Sequence, residues 1–229
     1  MTPRGKQTMS GRSTGYALSV DLELDVPCGP GSVPLEPGCV VLFSGLTALE
    51  RRIQETLQNV WTRCALIVPG PDGRPVILQS TSRPIAADLI ERHLRTGVQI
   101  VGAEEVLALF AGYVGFRAIH PALSIEQRNS LAVFALEKLG LPFNFSPYYA
   151  LRASRRRNRP GDGTQYYCTE LVAAALQRVG VLAPPPIGRA ASNYVPGDFA
   201  GPSQDLCLTC SHEFLPQQVL RSPITLAPG

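Results

Sequence analysis

YYCTELVAAALQRVG, residues 166–180, carries the reading that decides the fold. Leu171, Val172, Ala175, Leu176 and Val179 recur at helical spacing, so the run predicts an amphipathic helix with one buried stripe. Cys168 stands at its start. The first turn of a helix has unpaired backbone N–H groups and the positive end of the dipole, and both favour a thiolate. Gln165, Tyr166 and Tyr167 precede it, so the thiol can face a cleft. The plain alternative is a small buried cysteine, a common fate for a free thiol.

The segment before this helix, RASRRRNRPGDG, has five arginines and several turn residues, and it predicts a loop. Its stretch 152–159 reads either as a solvated insertion or as an anion- or membrane-facing loop beside the site. Further upstream, Ser124 and Gln127 form a capping-box signature for a helix SIEQRNSLAVFALEKLG, ended by Gly140, with Ile125, Ala132, Leu136 and Leu139 as its apolar face. Nearer the N-terminus, CVVLF predicts a buried strand. A helix then carries Leu46, Leu49, Ile53, Leu57 and Val60 on one side. CALIV and RPVILQS are two strands joined by a PDG turn. Residues 85–94 predict a helix, VQIV a strand, AEEVLALF a short helix and GYVGFRAI another strand. After the cysteine helix, APPP predicts an extended segment, followed by mixed strand and loop. Strands cluster early and the last helix is isolated behind a long connection, which predicts an α+β fold rather than alternating βαβ units.

The 229 residues, 45% of them apolar and 17% charged, are enough for one globular domain and exclude a disordered chain. We expect a flexible tail over 1–35, a domain over 36–222 and a short tail over 223–229. No apolar run approaches the roughly 20 residues of a membrane helix, and the basic N-terminus lacks an apolar h-region. A soluble intracellular protein is therefore expected, with a transit peptide as the alternative. The net charge of +3 gives no ground for a nucleic-acid partner. The cysteines are Cys28, Cys39, Cys64, Cys168, Cys207 and Cys210, six in all and too sparse for a disulfide scaffold. Cys207 and Cys210, in CLTCSH, form a single CxxC with no second ligand pair. His212 with Cys28 or Cys39 could complete a zinc set, but no spacing demands it, so neither metal nor cofactor is expected.

Several motifs in order resemble the YiiX-like amidases, the permuted branch of the NlpC-type, papain-like superfamily. YYCTELV is similar to that family's cysteine signature. GCVVLFSG resembles its opening strand and WTRCALIV its histidine strand. VILQSTS resembles the strand that bears its acid. LGLPFNF and YVPGDFAG resemble later elements, so the likeness runs from about residue 39 to about 199. It implies a papain-like fold with permuted motif order, a small antiparallel sheet packed on helices. The implied chemistry is attack by a cysteine on amide or thioester carbonyls of peptide, amide, acylated or lipid substrates, with Cys168 as nucleophile.

The partners depart from that pattern. Arg63 aligns with the family histidine, and a shift of one residue places Cys64 there instead. Gln79 aligns with the acid. Arginine, with a pKa above about 12, cannot shuttle protons near neutrality, although its charge can favour a thiolate. Of the three histidines, His93 and His212 read as surface or loop residues, and His120, after a strand, is the best placed to reach a cleft. Two main readings follow. One is a cysteine amidase, peptidase or acyl hydrolase with Cys168, Arg63 and Gln79 as its site. The other is a catalytically degenerate relative that binds a lipid, an acyl group or a protein. A third is an interaction subunit that uses its tails and the prolines at 184–186.

Overall fold

The computed structural model describes residues 35–145, 161–202, 206–209 and 211–221. The strands form where apolar residues run without interruption, because both faces of the sheet are covered. β1 (Val40–Gly45), β2 (Arg63–Pro69), β3 (Pro75–Thr81), β4 (Gly97–Gly102), β5 (Gly112–Arg117) and β8 (Gln218–Arg221) make one antiparallel sheet in the order β4-β3-β2-β1-β5-β8. β6 (Ile119–His120) and β7 (Glu213–Phe214) pair separately. The β2–β3 hairpin turns at Pro71-Asp72-Gly73. There Asp72 accepts from the Arg74 N–H at 3.1 Å, and Gly73 takes φ 78°, a value that suits glycine.

The period of two sorts the strands into two faces. Val40, Leu42, Cys64, Leu66, Leu78 and Ile100 face α3 (Ile125–Lys138) and α4 (Cys168–Arg178). Val41, Phe43, Ala65, Ile67, Ile77 and Val101 face α2 (Ala103–Leu109) and Phe110. α4 buries Leu171, Val172, Ala175 and Leu176 completely. α1 (Ala48–Leu57) and the short α5 (Pro196–Ala200) bring the described residues to five α-helices in a mixed α+β fold.

The expected Ser124–Gln127 capping box is formed. The Ser124 hydroxyl accepts from the Gln127 N–H at 3.2 Å, and the Gln127 side-chain oxygen accepts from the Ser124 N–H at 2.9 Å. The Gln127 amide also donates to the Val179 carbonyl at 2.8 Å, tying the start of α3 to the end of α4.

Three expectations change. No helix forms over 85–94. Buried Asp88 accepts from the N–H groups of Ile90 and Glu91 at 2.8 and 2.9 Å and from that of Ile100 on β4 at 2.8 Å. An aspartate that captures nearby amides competes with helix formation, and Arg92 has φ 61°, outside the helical region. The buried face of α3 is Leu131, Phe134 and Ala135, whereas Ile125 is 73% and Leu136 56% exposed. LAVFAL is apolar on every side, so packing against β2 and α4 selects the face, not periodicity. The APPP segment turns instead of extending, the Gly188 N–H reaching the Pro184 carbonyl at 2.9 Å, because proline's fixed φ suits turns as well as extended chain.

Candidate functional site

The site begins with how the chain holds Cys168. The Tyr166 backbone is clamped on two sides. Its N–H donates to the Pro142 carbonyl at 3.1 Å, and its carbonyl accepts from the Asn144 N–H at 3.1 Å. The hydroxyl of buried Ser80 on β3 donates to the same carbonyl at 2.6 Å. Tyr167 is the N-cap in extended geometry with no side-chain cap bond, and its own hydroxyl donates to the Ser192 carbonyl. Cys168 is therefore the first residue of α4, fixed against the end of β3 and beside β2.

Its thiol is held below the ordinary range, at about 7. The largest cause is the hydrogen bond from the Cys64 thiol; burial opposes it, and the backbone N–H groups of Cys64 and Thr169 and the charge of Arg63 assist. A hydrogen bond or cation that stabilises the charged form lowers the pKa of a thiol. Cys64 moves the other way. Burial and its negative neighbour push its pKa well up, so Cys64 is the donor and Cys168 the thiolate.

Arg63 sits at the start of β2 with one nitrogen 2.9 Å from the Glu50 carboxylate on α1, and its guanidinium lies 5.2 Å from the Phe110 ring centroid and 5.9 Å from that of Phe43. Glu50 also completes the capping box of α1 with Thr47. Arg63 is thus fixed by a carboxylate and two rings and acts on the sulfur through its charge. Gln79 is buried on the α2 side of β3, opposite Gln99 on β4. It shares a small enclosed void with Arg63 and Cys64 and does not line the cleft that holds Cys168.

That cleft has a volume of about 530 Å³, within the usual range for a small-molecule site. Leu49, Ile53 and Leu57 of α1 line it, together with Ile85, Phe110 and Phe143. Hydroxyls of Ser80, Thr81 and Ser82 and the exposed side chain of Arg83 add polar lining. The apolar face of α1 buries none of its residues completely and faces this space. Gln54 anchors the helix from beneath, its amide donating to Ser44, Gly45 and Val60 at 3.1–3.4 Å.

None of the histidines lines the cleft. His93 is exposed, 3.0 Å from the Glu91 carbonyl. His120 is exposed on β6, and His212 lies 2.9 Å from the Ser211 hydroxyl. Among the described residues no group of three histidine, cysteine or acidic side chains is placed to hold a metal ion. Cys207 is half-buried, while Cys28, Cys210 and the arginine loop at 152–159 lie outside the described residues. No helix among the described residues is long and apolar enough to cross a membrane.

No family profile matches the chain, and no curated protein matches it. Among solved structures, the chain is similar to the metalloprotein YiiX from Escherichia coli O157:H7, at 17% identity and a TM-score of 0.47, over 67% of this chain and 69% of that one.

Sequence reasoning named Cys64 only as a one-residue shift from Arg63. In the structure Cys64 lies on the face of β2 packed against α4, and Arg63 supplies charge from the other face of β2.

Proposed function

We propose that the chain is a permuted papain-like cysteine acyl hydrolase or acyltransferase in which Cys168 takes an acyl group from a thioester, with the acyl chain in the α1-lined cleft. The observation that carries this reading is a thiol held at about 7 at a helix start, opening into an apolar cleft. A thiolate formed in advance needs no base to remove its proton. In the reaction the Cys168 sulfur bonds to the thioester carbonyl carbon, the original carbon–sulfur bond breaks, and the leaving thiol departs as a thiolate. An amine leaving group, by contrast, must be protonated as it departs. With Glu50 paired to Arg63 and no histidine lining the cleft, amide cleavage is the less supported branch. Release of the acyl group to water also needs a base, so the acyl-enzyme accumulates. The expected kinetics with a long-chain acyl thioester are a burst of about one thiol released per chain followed by slow turnover, the pattern of an accumulating acyl-enzyme. Steady release with no burst, or an unchanged burst in Cys168→Ala, refutes the reading.

A second reading, a non-catalytic acyl or lipid binder, is favoured by the same Arg63–Glu50 pair, which ties up the residue aligned with the family histidine. It predicts that a fluorescent fatty acid binds wild type and Cys168→Ala equally while neither shows a burst. Binding that is absent from both proteins contradicts it.

A further inference from the structure

Cys64 has no role in acyl transfer beyond one hydrogen bond, yet it is the closest chemical partner of the nucleophile. The two cysteines sit on facing elements, β2 and α4, with Cys64 on the side of β2 that α4 covers, and each perturbs the ionisation of the other. Both are reduced and buried, Cys64 2% and Cys168 6% exposed. They differ in access: Cys168 lines the open cleft, whereas Cys64 does not. Cys168 meets the cleft at the start of α4, and Cys64 packs on the face of β2 that α4 covers. Cys39 is the internal contrast: equally buried on the other face of the sheet, it is pushed up to about 12 by burial, and its thiol faces the Val40 carbonyl at 3.7 Å.

We propose that Cys168 and Cys64 are a redox couple, in which a peroxide entering the cleft oxidises the Cys168 sulfur and Cys64 closes an intramolecular disulfide that takes the nucleophile out of use. In the first step the Cys168 thiolate attacks one peroxide oxygen, the O–O bond breaks, hydroxide leaves and a sulfenic acid remains. In the second step the Cys64 sulfur attacks the Cys168 sulfur and the S–O bond breaks. Water leaves with the Cys64 proton, so two thiols are oxidised and one peroxide is reduced. Closing the bond brings the two sulfurs to about 2.05 Å. A low-pKa, accessible cysteine beside a second thiol is the arrangement in which oxidation stops at a reversible disulfide. The consequence of the switch rests on the acyl-transfer reading, since that chemistry is what it would turn off; formation of the bond does not.

The test uses the full chain, treated with one equivalent of hydrogen peroxide at a pH where Cys168 is ionised and then mapped by mass spectrometry without reduction. The expected product joins the Cys64 and Cys168 peptides with loss of two hydrogens, leaves Cys39 unmodified and reverts with dithiothreitol. In Cys64→Ala the same dose yields a sulfenic acid on Cys168 that dimedone traps. Three outcomes overturn the proposal: Cys168 of the unmutated chain passes to sulfinic acid while Cys64 stays a thiol, Cys168 joins another cysteine, or Cys168 remains reduced. If the linked peptide forms but the reduced protein shows no thioester burst, the acyl-transfer reading fails and the couple stands. A burst without the linked peptide means the reverse.

Discussion

Replacing Cys64 with alanine tests the origin of the reactive thiol. The Cys64 S–H is the largest influence that lowers the Cys168 pKa. A hydrogen bond to a charged group is worth about 1.5–3 kcal/mol, and S–H is a weak donor, so the lower end applies. At about 1.4 kcal/mol per pKa unit, losing it raises the Cys168 pKa by about one unit. The sign follows from the bond favouring the thiolate; removing it favours the thiol. The assay is the second-order rate of iodoacetamide labelling at Cys168 against pH, read from the peptide mass. In the unmutated protein the rate is expected to rise through a midpoint near 7. In Cys64→Ala the midpoint moves up by about one unit, and labelling at neutrality falls several-fold while the plateau at high pH is kept. A midpoint that stays in place, with the variant still folded, would mean that the helix start and Arg63 alone set the thiol, and the reasoning from Cys64 would fail.

Other substitutions separate the cleft from the core. Ile53→Asp puts a carboxylate on the cleft face of α1, where no side chain is completely buried. Its unfolding midpoint in urea should shift little, by less than about 1 kcal/mol, while acyl loading falls by about tenfold or more. Equal loss of stability and loading would place α1 in the core. Asp88→Ala leaves three N–H groups without their acceptor, the one on β4 being buried. A cost of about 2–4 kcal/mol in chemical denaturation is expected, since one orphaned buried donor alone costs about 1–3 kcal/mol. A neutral result would contradict the account of why 85–94 is not helical.

Much of this fold could be read in the chain, because the sheet is covered on both faces and its strands are short continuous apolar runs. VVLF, ALIV and VILQS were legible for that reason, as were the PDG turn and the Ser124–Gln127 box, whose chemistry is local. What could not be read depends on partners distant in sequence. α1 shows a regular apolar stripe, and periodicity cannot say whether such a stripe meets a core or an open cleft. The Asp88 segment has helical composition, yet the acceptor bonds reaching to Ile100 belong to tertiary structure. The site shows the limit most clearly. Along β2, Arg63 and Cys64 necessarily point to opposite faces, since side chains alternate. Only the docking of α4 on the Cys64 face decides that Cys168 lies beside a second cysteine. Cys168 itself was legible because its position at a helix start is a local property.

The central claim is that Cys168 accepts an acyl group, and intact-protein mass spectrometry after incubation with a long-chain acyl thioester tests it most directly. The account predicts one acyl adduct, mapped to the Cys168 peptide, released by neutral hydroxylamine and absent from Cys168→Ala. An unacylated protein, or an adduct of equal yield on the alanine variant, would contradict it.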